Sequence, residues 1–310
     1  MVYHERTLGP FSVMYGYCMA GVAAYEVLDV REAESKFRTA LELARLTGMH
    51  SHAARLAGAL LGSLLYDKGD VDAAEELLDR SNELGAEGGV ADILLATYGV
   101  GSRIKTLRGD LAAAAARLDE GAAVAARLSI SRLDKRVVNE RIRAGLPLDP
   151  TTSAQLRHLS PSPVTQGGIA EVCSQLDEES SIRLLLIDRS DAVVQEALRR
   201  SRALVARVAK QKRPRALVTV IVLEVCCLAA AGRAEEAKRI FAPIVLQCAT
   251  LGLPRILLDG GTEARIILSM MLADVRSGEA WVHRWPDLTA QLLIGVLSEC
   301  ASDGTQAPMP

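Results

Sequence analysis

The chain has 310 residues, 49% hydrophobic and 24% charged, with a formal net charge of −2. That excludes a disordered or fibrous chain and argues against a dedicated nucleic-acid domain, which carries a clear basic excess. No run of 18 apolar residues occurs, so no membrane span is expected. The beginning, with His4, Glu5 and Arg6, lacks a secretion-signal layout.

Six cysteines (Cys18, Cys173, Cys226, Cys227, Cys248 and Cys300) therefore read as reduced thiols in a cytoplasmic protein. Cys226 and Cys227 diverge by about 100° on a helix, which suits core packing better than metal binding. Aromatics are only 4% of residues, so the core must be built from Ala, Leu, Val and Ile. Small side chains let helices approach closely.

In chain order, three stretches overlay. The first runs from Leu28-Asp29-Val30 through Ala33 to Phe37 and Ala40. The second runs from Gly69-Asp70-Val71 through Ala74 to Leu78 and Ser81. The third runs from Gly109-Asp110-Leu111 through Ala114 to Leu118 and Gly121. Their alanines lie about 40 residues apart, the period of a helical repeat. A fourth copy, Gly232-Arg233 to Ala237 and Phe241, follows later.

In each copy a glycine (Leu28 in the first) and a polar residue end one helix and cap the next. A small residue then marks a close crossing, and a large one four positions on fills the gap beside it. Upstream partner helices carry Tyr17, Ala20, Gly21 and Ala24, then Gly58, Leu61, Gly62 and Leu65. The order resembles the tetratricopeptide repeat stretched to about 40 residues. No comparable length alternates with period two. The expectation is all-α: a tetratricopeptide-like superhelix of antiparallel helix pairs.

Between the third and fourth copies the pattern lapses at Gly145 to Pro150 and at Ser160-Pro161-Ser162-Pro163 with Gly167-Gly168. We divide the chain into a first helical block (1–144), an irregular joint (145–168), a second block (169–300) and a disordered tail (301–310).

The second block carries a further resemblance. The segment Gly252-Leu253-Pro254-Arg255-Ile256-Leu257-Leu258-Asp259-Gly260-Gly261 looks like the close of the tetratricopeptide-like domain in MalT-type regulators, ATP-dependent transcription activators with LuxR-type tails. Gly252, Arg255, Asp259 and Gly261 match that family's pattern, and Leu257 stands where it has Phe. The resemblance is moderate over 192–272 and weak elsewhere. A kinase-linked version of the domain, as in protein kinase K-like proteins, is similar too.

The resemblance implies a sensor that binds a small-molecule effector or a regulatory protein in its concave groove and controls an adjoining nucleotide-switch or kinase domain in a longer protein; the alternative is a protein–protein interaction scaffold with no small-molecule ligand. The chain itself has no phosphate loop, no Gly-Lys pair and no recognisable helix-turn-helix after residue 300. Direct nucleic-acid binding and membrane association are not expected, and no cofactor is implied.

If the first helix of each unit faces a groove, as the tetratricopeptide geometry implies, Tyr25, Tyr66 and Arg103 are the candidate ligand-binding residues. Further positions facing the groove would be Tyr15, Cys18, Val22, Glu26, Leu56, Ala59, Ser63, Gly99 and Thr106. Tyrosine offers a flat apolar face and a hydroxyl; the bland alternative is that Tyr25 and Tyr66 pack between repeats. Arg255 and Asp259, four apart, read as an ion pair that is structural or contacts an adjoining domain.

From Arg199 to Arg215 eight cations occur with no acid. Without interleaved aromatics this reads as a solvated or partner-facing surface, not a nucleic-acid stripe. His50 and His52 diverge on a helix and make no metal site. His283, between Trp281 and Trp285, reads as packing. No motif for a nucleophile, a general base or a metal centre is present, so the chain reads as a non-enzyme.

Overall fold

The computed structural model describes residues 9–47, 52–83, 90–160 and 167–299, and among them it is all-α. The chain divides between Leu146 and Pro147 into two compact units.

In the first unit the helices are α1 (Pro10–Glu26), α2 (Val30–Thr47), α3 (His52–Asp67) and α4 (Val71–Glu83). Next comes α5, which runs from Ala91–Leu94 through a π-helical stretch, Leu95–Val100, into Gly101–Leu107. The unit ends with α6 (Leu111–Leu128) and α7 (Ser131–Arg143). Successive helices pack as antiparallel pairs. The first helices of the pairs, α1, α3, α5 and α7, also touch one another in turn, whereas α2, α4 and α6 pack chiefly on first helices. The first-helix layer is thus the more closely spaced, as on the inner side of a curved stack.

The repeat turns follow from local chemistry. Leu28, Gly69 and Gly109 take left-handed backbone with φ of 65°, 90° and 78°. Their N–H groups donate to the carbonyls of Tyr25, Tyr66 and Thr106. The next N–H, of Asp29, Asp70 or Asp110, reaches back to Ala24, Leu65 or Lys105; together these close the preceding helix. The same aspartates then cap the following helix, accepting from the N–H of Glu32, Ala73 and Ala113. Leu28 adopts at a glycine position a conformation that favours glycine.

The crossings are as tight as the small residues imply. A Cβ on Gly21 would lie 2.4 Å from the Phe37 ring, and one on Gly62 would lie 3.0 Å from Leu78 Cγ. Ala33, Ala74, Ala114 and Ala237 are all fully buried, as are Phe37, Leu78, Leu118 and Phe241 beside them.

In the second unit, α8 (Pro150–Arg157) is a helix inside the segment read from sequence as an irregular joint. Asp149 accepts from the Thr152 N–H and Pro150 occupies the first helical position, a start signal that the proline-rich surroundings masked. There follow α9 (Gly168–Asp188), α10 (Asp191–Ala209), α11 (Pro214–Ala230), α12 (Ala234–Leu251), α13 (Pro254–Leu258) and α14 (Thr262–Ser277). A 3₁₀ turn, Ala280–Arg284, leads to α15 (Ala290–Ser298). The Gly232 turn repeats the design, with φ of 69° and Arg233 N–H bonded to the Leu228 carbonyl. No described helix is long and apolar enough to cross a membrane. The tail 301–310 and His50 lie outside the described residues.

Candidate functional site

The groove candidates part company in the structure. Tyr66 is 1% exposed and Tyr25 5%, and the Tyr25 hydroxyl donates to Asp67, itself buried, at the end of α3. The exposure expected of these two side chains is therefore not found: both are buried, Tyr25 against Asp67 of α3, so a ligand in the groove would not meet their rings. Cys18, Leu56 and Ala59 are also fully buried. The inner first helices, α3 and α5, have neighbours on three sides, which covers positions that face a groove in isolation; Tyr15 on α1 stays exposed, and Val22, Glu26, Ser63 and Thr106 are half-buried.

Arg103 is different. It sits on the last two turns of α5, partly exposed, and forks onto Glu140 of α7 with Nε–Oε2 and Nη2–Oε1 distances of 2.6 Å. Arg136 reaches Glu140 Oε1 at 2.8 Å, and Arg143 lies 3.5 Å from Oε2. The carboxylate is 1% exposed, while the three arginine side chains keep between 12% and 24% of their surface. Burial pushes the Glu140 carboxyl up, but the charges of Arg103, Arg136 and Arg143 and the Arg103 hydrogen bonds outweigh it and hold it at about 2.

The backbone makes room for this cluster. The π-helical stretch ends at Gly99 and Val100, and a Cβ on Gly99 would fall 2.8 Å from Arg136 Nε. One on Gly101 would fall 2.3 Å from Arg117 Nη1. Two glycines let guanidiniums lie directly on the α5 backbone, at a helical irregularity of a kind often found at functional sites. Guanidinium forks of this geometry recognise carboxylates and phosphates. Sequence reasoning found Arg103 but missed Glu140, Arg136 and Arg143. Their signal was an acid flanked by arginines four before and three after it on one helix face.

Other charges form ties between repeats. Lys68 pairs with Glu34 at 2.6 Å, Lys105 with Glu75 and Asp79 at 2.7 Å, and Arg117 with Asp79 at 2.6 Å.

The basic stretch 199–215 is only partly open. Arg200 is buried on Glu178 at 2.8 Å, Arg202 joins Glu224 and Glu236, Arg207 lies 3.4 Å from Glu171, and Arg213 donates to Gln175 at 3.0 Å. Half of its cations thus bridge helices, Arg202 with 41% of its side chain still exposed, while Arg199, Lys210 and Lys212 remain exposed.

Arg255 is buried in α13, with its Nη2 3.8 Å from Asp259 Oδ1. At 1% exposure the guanidinium is enclosed within the second unit. Trp281 donates to Asp274 at 2.8 Å and lies under Lys238. Among the described residues no group of three or more His, Cys, Asp or Glu side chains could hold a metal ion.

No protein-family model matches the chain. Comparison with curated proteins finds serine/threonine-protein kinase PknK from two strains of Mycobacterium tuberculosis and from Mycobacterium bovis. Each is 42% identical over 259 residues, covering 83% of this chain. The chain spans 23% of the length of these relatives. The similarity thus ties it to one portion of a much larger kinase, and the chain is all-helical over its described residues.

Proposed function

We propose that the chain is a non-catalytic regulatory module of a kinase-linked signalling protein in the cytoplasm, which binds a partner on its first-helix layer and passes the effect to an adjoining kinase domain. The observation that carries this reading is the 42% identity to a portion of PknK. The repeat architecture supports it, because stacked helix pairs present extended binding surfaces.

Between a small effector and a protein partner, the burial of Tyr25 and Tyr66 favours the protein. The polar features left on the first-helix layer, Arg103 and its neighbours around Glu140, suit an acidic segment better than an apolar molecule. The alternative context, a MalT-type transcription regulator, draws on the resemblance over 192–272, with the Gly252, Arg255, Asp259 and Gly261 pattern at its close.

The test is a titration of the purified chain into the kinase-domain portion of PknK, read by isothermal calorimetry. Saturable binding weakened by Arg103→Gln supports the module. Absence of binding at about millimolar concentration, on the order of what a domain on a short flexible linker experiences locally, counts against it.

A further inference from the structure

The face of α1 that points away from α3 has an internal counterpart. With Leu28 and Gly69 at equivalent turns, Ser12, Tyr15, Gly16 and Ala23 of α1 correspond to Ala53, Leu56, Ala57 and Leu64 of α3. In α3 all four are fully buried, and α2, the second helix of the preceding pair, packs on that helix. In α1 the equivalents are open: Tyr15 is 36% exposed, Ser12, Gly16 and Ala23 are exposed, and Phe11, one turn before Tyr15, is 48% exposed.

The composition of α1 agrees with a covered helix. Its sequence, PFSVMYGYCMAGVAAYE, holds one charged residue in 17, whereas a helix with one wet face carries polar residues along it. Gly16 is the sharper sign. A glycine inside a helix costs about 1 kcal/mol against alanine, and here a Cβ would meet nothing within 4 Å. Gly21 and Gly62, by contrast, are each filled by a facing side chain. An open mid-helix glycine amid exposed apolar groups fits a close approach by a neighbouring helix.

We infer that this face of α1 is an interaction surface for the second helix of another helical repeat, seated as α2 is seated on α3. The molecule's own α2–α3 interface, where Leu43 and Ala44 of α2 cluster with Ala53 and Ala54 of α3, specifies the occupant: an amphipathic helix that sets an Ala and Leu stripe into the trough at Gly16 and Ala23. Terminal repeats that end in solvent carry a polar outer face, which α1 lacks. The inference is independent of the kinase reading, since it rests on repeat equivalence.

The test is a fusion placing a second copy of residues 10–50 directly before Pro10, which sets a copy of α2 ahead of α1 with the natural spacing. The readouts are amide exchange of α1 and the tyrosine-monitored melting of the first unit. Exchange in α1 is expected to slow by about tenfold or more, and Tyr15→Glu should abolish the gain in the fusion. The same substitution in the unfused chain should leave its melting unchanged, which separates lost docking from misfolding. Unaltered α1 exchange in a folded fusion, or a gain that survives Tyr15→Glu, would overturn the inference. Sedimentation of the unfused chain adds a further arm: a dimer abolished by Tyr15→Glu would assign the face to a second copy and reject a repeat helix.

Discussion

Replacing Glu140 by glutamine tests the arginine cluster most sharply. The carboxyl titrates at about 2 in the folded chain against a reference of 4.5, a depression worth about 3 kcal/mol at 1.36 kcal/mol per unit. A group depressed on folding contributes stability that is fully present above its unfolded pKa and is lost as pH falls through the folded one. The contribution is therefore complete at neutral pH, begins to fade near pH 4.5, and is gone below about 2.

Glu140→Gln should destabilise the first unit by about 3 kcal/mol at pH 7, in line with breaking a buried pair. That is roughly 10 °C in melting temperature. The two units can be followed separately, because all six tyrosines precede residue 147 and both tryptophans follow it. The assay is urea unfolding by tyrosine fluorescence from pH 7 to pH 2. The gap between parent and variant should close as pH falls. A gap that is constant with pH, or within about 0.5 kcal/mol of zero at pH 7, would refute the electrostatic account.

Gly21→Ala should destabilise the first unit by roughly 1–3 kcal/mol through the clash with Phe37. Combining it with Phe37→Leu should recover part of that loss in a double-mutant cycle, and strict additivity would contradict the crossing. Gly109→Ala, at φ of 78°, should cost roughly 1–2 kcal/mol in thermal unfolding; an unchanged melting curve would mean the left-handed turn is not required. Burial pushes the Cys18 and Cys227 thiols up to about 12. In the native chain at pH 8 a maleimide should therefore modify half-buried Cys173 at least about tenfold faster than either, as peptide mapping would show. Equal rates would mean that the first unit and α11 open readily.

The sequence revealed what is local. Turns at Gly69, Gly109 and Gly232, the caps at Asp29, Asp70 and Asp110, and the small residues at the crossings are all set within a few residues of chain. Leu28 was legible at a glycine position only because its neighbours Asp29 and Ala33 keep the pattern. Side-chain exposure was not legible, since it depends on how many neighbours each first helix has. Tyr25 and Tyr66 look like binding residues on a helical wheel and are buried in the folded chain. The run from Arg199 to Arg215 looks uncompensated for a similar reason: Glu178 and Glu236, which pair with Arg200 and Arg202, are 22 and 34 residues away in sequence. The helix at Pro150–Arg157 was missed because Pro and Gly were counted as breakers where Asp149-Pro150 is a start.

The most direct test of the regulatory reading is the phosphotransfer rate of a chimera in which this chain replaces the matching 259-residue portion of PknK. The account predicts that the chimera keeps the parent rate and partner response, that deleting the portion changes both, and that Arg103→Gln in the chimera shifts the response toward that of the deletion. A chimera indistinguishable from the deletion, or a deletion indistinguishable from the parent, would contradict it.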